Sequence, residues 1–312
     1  MSLVVALSGG IGGAKLALGL SRVLPGDELL IVANTGDDFE HLGLSVSPDL
    51  DTLMYTLAGV ANPETGWGRR DETWSFMAAL EELGGETWFR LGDRDLATHV
   101  ERTRRLRAGE SLSAVTADLC RKLGVAPRIL PMSDDPVRTR VLTETGWIDF
   151  QDYFVRQQCR PVVRRLAFAG ADAARAHPDF LAALRRPDLR AVVVCPSNPF
   201  ISVEPIFSLG GVREALASCA APVIAVSPII GGRAVKGPTA KMMAELGLSV
   251  SAATVARRYA DLLDGYVVDH ADADMLRDIE PRVFLANTLM TTLDDREALA
   301  RTVLAAADEL RR

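Results

Sequence analysis

Four aspartates lie close together in the amino-terminal part of the chain. Asp37 and Asp38 come shortly after the apolar segment Leu29 to Ala33, and Asp49 and Asp51 follow downstream. Buried carboxylates cost free energy unless a cation lies between them. Oxygen ligands of this kind suit a hard divalent metal that also binds phosphate, and they fit Mg²⁺ better than Zn²⁺. The cluster therefore predicts a magnesium site that serves chemistry on a phosphate compound.

The same four residues have a structural alternative. Aspartate is a common N-cap, so Asp49 or Asp51 could cap the helix predicted over Leu50 to Ala58, and Asp37 and Asp38 could lie in a solvated turn. Capping accounts for one of the four carboxylates and leaves the others unexplained. The metal site is therefore the preferred interpretation.

A glycine-rich segment, SGGIGGAK, follows the first apolar segment of the chain. It matches neither the P-loop pattern GxxxxGK[ST] nor GxGxxG, because Lys15 stands in place of the third glycine. Glycines still allow close approach of the backbone, and the N-terminus of the following helix favours an anion. We interpret the segment as a phosphate cradle with a nearby lysine, and the alternative is a tight strand-to-helix turn without a ligand. The nucleotide-binding candidates here are Gly9, Gly10, Gly12, Gly13 and Lys15.

The segment RLGDRDLATH, from Arg90 to His99, combines two arginines, two aspartates and a histidine. Arginine suits phosphate or a planar polar ring, so we interpret the segment as part of a substrate pocket. Its aspartates could instead cap the helix predicted over Leu96 to Arg107, and its arginines could pair with the acidic cluster. His99 is interpreted as a structural histidine rather than a base, and the charged run Arg102 to Arg107 as a solvated helix face.

Two further segments rich in Gly, Pro, Ser or Asn, Pro196 to Pro205 and Ser227 to Pro238, follow predicted strands. The segment Pro131 to Thr139 is either a turn that closes over a ligand or an ordinary turn. We interpret His270 to Asp274 as a solvated loop that enters a helix. No Ser–His–Asp arrangement, HExxH motif or other nucleophile motif is found, which favours phosphoryl or nucleotidyl transfer through positioning and metal electrostatics.

Apolar segments typical of buried strands alternate with amphipathic helical patterns along the chain. This alternation predicts an α/β fold with a Rossmann-like, doubly wound and mainly parallel sheet, which binds ligands at the carboxyl ends of its strands. Between residues 126 and 178 this alternation gives way to short β-like segments around a mixed segment. We therefore expect a smaller α+β cap or insertion there and a core formed by residues 1–125 and 179–312. The predicted strands are Leu3 to Leu7, Leu29 to Ala33, Arg138 to Thr143, Val162 to Phe168, Arg190 to Cys195, Pro222 to Ser227, Tyr266 to Asp269 and Val283 to Ala286. The predicted helices are Gly13 to Leu24, Leu50 to Ala58, Glu72 to Leu83, Leu96 to Arg107, Ser111 to Leu123 and Asp294 to Leu310.

The composition excludes several classes of protein. A formal net charge of -6 and a pI of about 5.4 argue against a nucleic-acid-binding protein. The four cysteines show no CxxC spacing, which is typical of reduced thiols and predicts a cytoplasmic location. No signal peptide and no apolar run long enough to span a bilayer are found, so we expect no membrane association.

Together these motifs resemble those of the 2-phospho-L-lactate transferase family (CofD and its actinobacterial relative FbiA). The match runs in order from near residue 3 to Thr288–Thr292 and covers nearly the whole chain. It rests on the segments LSGGIGGAKLALGL, VANTGDDFEHLG, SPDLDTLMYTL, GWG with RDET, LGDRDLATH, RILPMSDDPVRT, PSNPFISVEPI and APVIAVSPIIGG.

The resemblance implies an enzyme of coenzyme F-420 biosynthesis. Such an enzyme takes the deazaflavin precursor Fo and a small acid activated by a guanosine-diphospho group. The terminal hydroxyl of Fo's ribityl chain attacks the phosphorus that bears the acid, GMP leaves, and a phosphodiester forms. The resemblance also implies a requirement for Mg²⁺ and a homodimer. It leaves open which acid is transferred, since lactate, enolpyruvate and glycerate derivatives differ by only a few atoms.

The resemblance assigns roles residue by residue. Asp51 matches the Fo-site aspartate and Arg90 its basic partner, and Asp37 and Asp51 match the metal carboxylates, which makes these two the catalytic candidates. The glycine turn would face the diphosphate, and Ser197 and Asn198 would lie near the guanosine nucleotide. The turn reads GGIGGAK where archaeal relatives often carry GGTGTPK, so nucleotide contacts here depend more on backbone N–H groups.

Two other functions remain as alternatives to the transferase. One is a Rossmann-like sugar-nucleotide- or dinucleotide-binding protein of another activity, although the missing GxGxxG counts against an oxidoreductase. The other is a non-catalytic nucleotide-binding regulator, although such a protein has little need of the acidic pairs.

Overall fold

A seven-stranded sheet forms the centre of the molecule, and three small antiparallel sheets accompany it. The computed structural model describes residues 2–311, with every side chain in that range except those of Met275, Leu276 and Asp278. The strands are β1 (Leu3–Ser8), β2 (Leu29–Ala33), β3 (Phe39–His41), β4 (Leu44–Val46), β5 (Arg128–Pro131), β6 (Arg138–Thr143), β7 (Gly146–Asp149), β8 (Arg165–Ala169), β9 (Leu189–Val194), β10 (Val223–Val226), β11 (Ile229–Ile230), β12 (Arg233–Ala234), β13 (Gly265–Asp269) and β14 (Arg282–Ala286).

The strand order of the central sheet reverses beside β1. The order is β14-β13-β10-β9-β1-β2-β5, and every neighbouring pair is parallel. The chain therefore builds outward from β1 to β2 and β5, and then on the other side from β9 to β14. At such a reversal the loops after the two adjacent strands separate and leave a crevice. The predicted α/β fold with a doubly wound parallel sheet is confirmed.

Helices cover both faces of this sheet, which explains why β1 and β2 are buried along their whole length. One apolar cluster packs α1, α2, α5 and α11 against the sheet, and the other packs α6 to α10 on the opposite face. No helix within residues 2–311 is both long and apolar enough to cross a membrane. The helices are α1 (Gly10–Val23), α2 (Pro48–Leu57), α3 (Ser75–Glu82), α4 (Asp93–Arg107), α5 (Leu112–Lys122), α6 (Pro178–Leu184), α7 (Glu204–Phe207), α8 (Val212–Ala217), α9 (Thr239–Glu245), α10 (Ala252–Arg258) and α11 (Leu293–Leu310).

The segment 126–178 contributes to two different sheets. Its first strand, β5, is the edge strand of the central sheet beside β2. The rest forms the antiparallel sheet β7-β6-β8, with a π-helix at Asp152–Arg156. The division into a core and a cap stays a prediction, and the strand placement shows that β5 belongs structurally with the central sheet.

Local signals predicted both ends of α5, and several other segments differ from expectation. Ser111 Oγ accepts from the N–H of Ala114 at 3.2 Å and Gly124 has a φ of +72°, as the cap residues predict. The helix predicted from Glu72 begins only at Ser75. The expected loop at His270 is wrong, because a 3-10 helix covers His270–Asp278.

Candidate active site

A cavity of about 720 Å³ opens at the carboxyl ends of β1, β2 and β9, where the strand order reverses. Every residue that the sequence analysis proposed for substrate, nucleotide or metal binding lines this cavity except Gly13 and Asp38. These lining residues are Gly9, Gly10, Gly12, Lys15, Asp37, Asp49, Asp51, Arg90, Ser197 and Asn198. Motifs far apart in the sequence therefore meet at one site.

The glycine loop, residues 9–13, is tied to two neighbouring loops. The N–H of Gly9 donates to Ser197 Oγ at 3.1 Å, and the N–H of Gly10 donates to Asp49 Oδ1 at 2.7 Å. Gly10 has a φ of +64°, a conformation that suits glycine. A Cβ on Gly9 would lie 2.6 Å from Asp49 Oδ2 and 2.7 Å from Ser202 Cβ. The loop shape thus depends on glycine before any ligand is considered.

Two other glycines allow α1 to pack closely on the loop after β9. A Cβ on Gly12 would overlap the carbonyl oxygen of Pro196, and a Cβ on Gly13 would overlap the side-chain oxygens of Ser8 and Ser197. Gly12 also faces the cavity, whereas Gly13 does not line it. Gly13 therefore has a packing role that the sequence pattern could not separate from a phosphate role.

Asp49 belongs to the framework of the site. Its Oδ1 accepts from the glycine loop, and its Oδ2 accepts from Asn34 Nδ2 at 2.9 Å. Burial raises the pKa of Asp49 to about 6. Since its oxygens are engaged at the N-terminus of α1, Asp49 joins the loops that follow β1 and β2.

Asp37 has a free acceptor beside the cavity. Its Oδ1 is buried and has no hydrogen-bond partner among the described residues. Burial and then the nearby charges of Asp49 and Asp38 raise the pKa of Asp37 well above its usual range. Asp38 is equally buried, and its Oδ1 also lacks a partner among the described residues, but its Oδ2 accepts from Ser47 Oγ at 2.7 Å and its side chain does not line the cavity. A buried carboxylate oxygen without a partner is the kind of atom that a cation satisfies.

Asp51 forms a buried ion pair with Arg102 of α4. Arg102 Nη1 donates to Asp51 Oδ2 at 3.0 Å, and Nη2 donates to Asp51 Oδ1. Burial alone would lower the pKa of Arg102, but the charge and hydrogen bonds of Asp51 raise it above its usual range. Because Arg102 is 0% exposed, the interpretation of Arg102 to Arg107 as a solvated face is wrong for this residue.

His99 lies between the side chains of Asp51 and Asp95. Its Nδ1 lies 3.2 Å from Arg102 Nη1, and its Nε2 lies 3.3 Å from Asp95 Oδ1, which also accepts from the hydroxyl of Tyr55 at 2.8 Å. A guanidinium only donates, so Nδ1 is the acceptor in the contact with Arg102. His99 Nε2 is buried and makes no hydrogen bond among the described residues. One ligand atom each of Asp51, Asp95 and His99 falls within 4.8 Å of the others, so this buried group could hold a metal ion.

Arg90 takes part in no acidic pair of the kind proposed from the sequence. Its guanidinium stacks 4.3 Å from the ring centroid of Trp74, and the side chain lines the cavity. Asp93, one of the two aspartates considered as caps of α4, instead caps α3, because it accepts from the N–H groups of Ser75 and Phe76. Glu72 in turn accepts from the first N–H groups of α4. These reciprocal caps hold the segment that carries Arg90.

An aromatic wall that sequence reasoning missed lines part of the cavity. Trp88 and Phe89 face it, and both make edge-to-face contacts with His41 behind them, at ring centroid distances of 5.0 and 5.7 Å. Phe150 and Phe154 line the same cavity and stack on each other at 5.3 Å. Flat aromatic surfaces suit a planar conjugated ring.

Lys15 and Lys236 bring positive charge to the cavity. Lys15 Nζ donates to the carbonyl oxygen of Met290 at 2.7 Å. Burial, followed by the charges of Arg296 and Lys236, lowers the pKa of Lys15. Across the crevice, Asn198 Oδ1 accepts from the N–H of Phe200 at 2.9 Å, which fixes the loop that presents Ser197 and Asn198. Cations that repel each other beside a glycine loop favour an anionic ligand.

Comparisons with known proteins agree on one family. The family model described as 2-phospho-L-lactate transferase CofD matches residues 4–306. A phosphoenolpyruvate transferase from Kitasatospora aureofaciens is 44% identical over 99% of this chain and 98% of that protein. A 2-phospho-L-lactate transferase from Methanosarcina mazei is 39% identical over 97% of this chain and 100% of that protein. The crystal structure of a UPF0052-family protein from Bacillus halodurans has the same fold, with a TM-score of 0.63, 12% identity and coverage of 97% of this chain and 98% of that one.

Proposed function

Because this chain belongs to the CofD family of 2-phospho-L-lactate transferases, we propose that it transfers a phospho-acid from a guanosine-diphospho donor to the deazaflavin Fo. The terminal ribityl hydroxyl forms a bond to the phosphorus that carries the acid. The bond from that phosphorus to GMP breaks, GMP leaves, and the hydroxyl proton passes to the surroundings. The observation that carries the proposal is a single cavity that combines a glycine loop, buried carboxylates and an aromatic wall.

We assign the two substrates to chemically different parts of the cavity. The aromatic wall suits the planar deazaflavin, with Arg90 beside it and Asp51 as acceptor for a ribityl hydroxyl. The glycine loop with Lys15 suits the diphosphate, and Ser197 and Asn198 lie on the loop opposite. Asp51 is the group that would orient the attacking hydroxyl. Placing two substrates in register can remove on the order of 7–11 kcal/mol of the barrier at best.

We propose that Asp37 and Asp51 hold Mg²⁺. The unpartnered, buried Oδ1 of Asp37 fits a hard cation, and carboxylate oxygens are ligands that Mg²⁺ accepts. When bound, the ion would supply positive charge that offsets the charge of the diphosphate.

The metal assignment predicts a specific effect at Asp37. Asp37→Asn is expected to raise the Mg²⁺ concentration for half-maximal activity about tenfold or more, because one charged ligand is lost. Asp38→Asn is the matched control, since Asp38 is adjacent and equally buried but does not line the cavity. Metal titrations of both variants measure the effect. Equal Mg²⁺ requirements in the two variants would remove Asp37 from the metal site.

The aromatic wall predicts selective loss of deazaflavin affinity. Trp88→Leu is expected to weaken Fo binding about tenfold and leave GDP binding within twofold, since a stacking surface is worth about 0.5–1.5 kcal/mol beyond its area. Trp147→Leu is the control, because Trp147 is 42% exposed and lies outside the cavity. Fluorescence titration with Fo and calorimetry with GDP give the two constants. A similar loss of affinity for Fo and for GDP would contradict the assignment of the aromatic wall to Fo.

The overall function is tested by mass spectrometry. The protein is mixed with Fo, Mg²⁺ and a panel of guanosine-diphospho acids of the lactate, enolpyruvate and glycerate types. We expect GMP and an Fo phosphodiester with one of these donors, which would also identify the acid. Fo binding without product from any donor would favour a nucleotide-binding protein, and absence of Fo binding would reject the proposal.

We also propose a homodimer in the cytoplasm. The homodimer is supported by the resemblance to the family. The cytoplasm is supported by Cys120, Cys159, Cys195 and Cys219, which are all free thiols.

A further inference from the structure

Arg102 directs both terminal nitrogens of its guanidinium at one carboxylate of the active site. It lies on the buried face of α4, is 0% exposed, and forms a two-pronged ion pair with both oxygens of Asp51. Arg102 does not line the cavity itself, whereas Asp51 does. Arg102 can therefore act on a bound ligand only through neighbours that line the cavity, chiefly Asp51, which it holds with two hydrogen bonds, and also His99.

The geometry leaves part of Asp51 available. A carboxylate has about four lone-pair sites, and the fork of a guanidinium uses one on each oxygen. The remaining sites can accept a hydrogen bond or a cation from the cavity. Because a two-pronged pair fixes the plane of the carboxylate, it also fixes the direction in which these sites point.

The guanidinium is itself held by neighbours on the same helix. Arg102 Nη1 lies 3.2 Å from the acceptor Nδ1 of His99, and the opposite ring nitrogen faces Asp95 at 3.3 Å. Tyr55 donates to Asp95 from α2, the helix that carries Asp51. Two helices are thus joined by a polar network in which each charged group has a partner.

Stability alone gives little reason for an arginine at this position. A buried ion pair replaced by well-packed apolar residues is often neutral or even favourable for stability. Its two-pronged geometry, by contrast, controls direction, which matters for a carboxylate that faces a substrate cavity.

We propose that Arg102 is a positioning residue that aims Asp51 at the deazaflavin substrate and so sets affinity for Fo rather than for the nucleotide. This inference rests on the proposed function, in which Asp51 accepts from the ribityl chain. A lysine at position 102 would keep the charge but lose the fork, so the carboxylate plane would no longer be fixed.

The test compares Arg102→Lys with Arg105→Lys. Arg105 lies on the same helix and pairs with Glu110 and Asp118, but it has no contact with Asp51. Affinity for Fo is measured by deazaflavin fluorescence and affinity for GDP by calorimetry, both without Mg²⁺ so that the proposed metal role of Asp51 does not enter the comparison. Circular dichroism is the check of folding. We expect Arg102→Lys to weaken Fo binding at least tenfold and GDP binding less than twofold. Arg105→Lys should leave the affinities for Fo and for GDP within twofold of the wild-type values.

Two results would overturn the proposal. One is wild-type affinity for Fo in folded Arg102→Lys, and the other is an equal loss for Fo and GDP, which a general loosening of the fold would produce. Should the lysine variant fail to fold, Arg102→Gln takes its place under the same criteria, since its amide can still donate one hydrogen bond to Asp51 but lacks the fork. Failure of the wild-type protein to bind Fo would instead reject the proposed function.

Discussion

Asp51→Asn is expected to lower turnover by about 10²–10³-fold, the effect of removing one well-placed polar group that acts on the reacting atoms. The amide keeps the shape of the carboxylate but loses the charge that Asp51 would supply in its proposed roles as a Mg²⁺ ligand and as acceptor for the attacking hydroxyl. Steady-state turnover at saturating Fo, donor and Mg²⁺ measures the effect. Turnover within twofold of wild type would exclude Asp51 from both the metal site and the reaction.

The same substitution is also expected to destabilise the fold. Loss of one partner leaves Arg102 as a buried, uncompensated cation, which costs about 3–5 kcal/mol. Urea unfolding followed by circular dichroism gives the change in the free energy of unfolding. The double variant Asp51→Asn with Arg102→Met removes both charges, so we expect it to recover most of the lost stability and none of the turnover.

Gly12→Ala is expected to lower turnover about 10²-fold. The added methyl group would overlap the carbonyl oxygen of Pro196, which is backbone and cannot rotate away. Either α1 or the loop with Ser197 and Asn198 must therefore shift, and a displacement of about 1 Å within an active site can cost about that much. Overpacking adds a stability cost of about 1–3 kcal/mol.

Gly210→Ala is the matched control for this prediction. A Cβ on Gly210 would meet no atom within 4 Å, and its backbone is outside the left-handed region. Turnover, GDP affinity and thermal unfolding are measured for both variants. If Gly12→Ala keeps wild-type turnover while its stability falls, the close packing at Pro196 does not position the nucleotide.

The sequence predicted the sheet and the glycine loop because both depend on local patterns. The apolar segment Leu29 to Ala33 became a strand with the predicted bounds, and Gly10 adopts a conformation that glycine favours. Local patterns did not predict that Gly13 is required for packing and lies outside the cavity. Its requirement comes from Ser8 and Ser197, and the second of these is far away in sequence.

The buried face of α4 shows why Arg102 was misassigned. Its buried residues Asp95, Thr98, His99, Arg102 and Thr103 follow the spacing of one helical face. An apolar stripe is the usual mark of a buried helix face, and this face is instead polar because Arg102 pairs with Asp51 of the acidic cluster. A search for polar residues at helical spacing, opposite a carboxylate cluster, would have found it.

The aromatic wall depends on contacts between distant segments. His41 lies in the β3–β4 hairpin, and it supports Trp88 and Phe89 from a loop that carries no regular periodicity. No spacing in the sequence relates these positions. Only the docking of the hairpin against the loop before α4 brings the rings together.

The position of β1 within the sheet has a consequence during protein synthesis. β1 is translated long before β9, one of its two neighbours in the sheet, where Leu3 pairs with Leu189. At about 5–20 residues per second, roughly 10–40 s pass before that neighbour has been translated. Until then the nascent chain exposes an open apolar strand edge, the kind of surface that chaperones shield and that aggregates form on. The glycine loop, whose shape depends on Pro196 and Ser197, can reach its final conformation only after this point. A prematurely terminated chain would therefore be prone to aggregate and would lack the completed cavity.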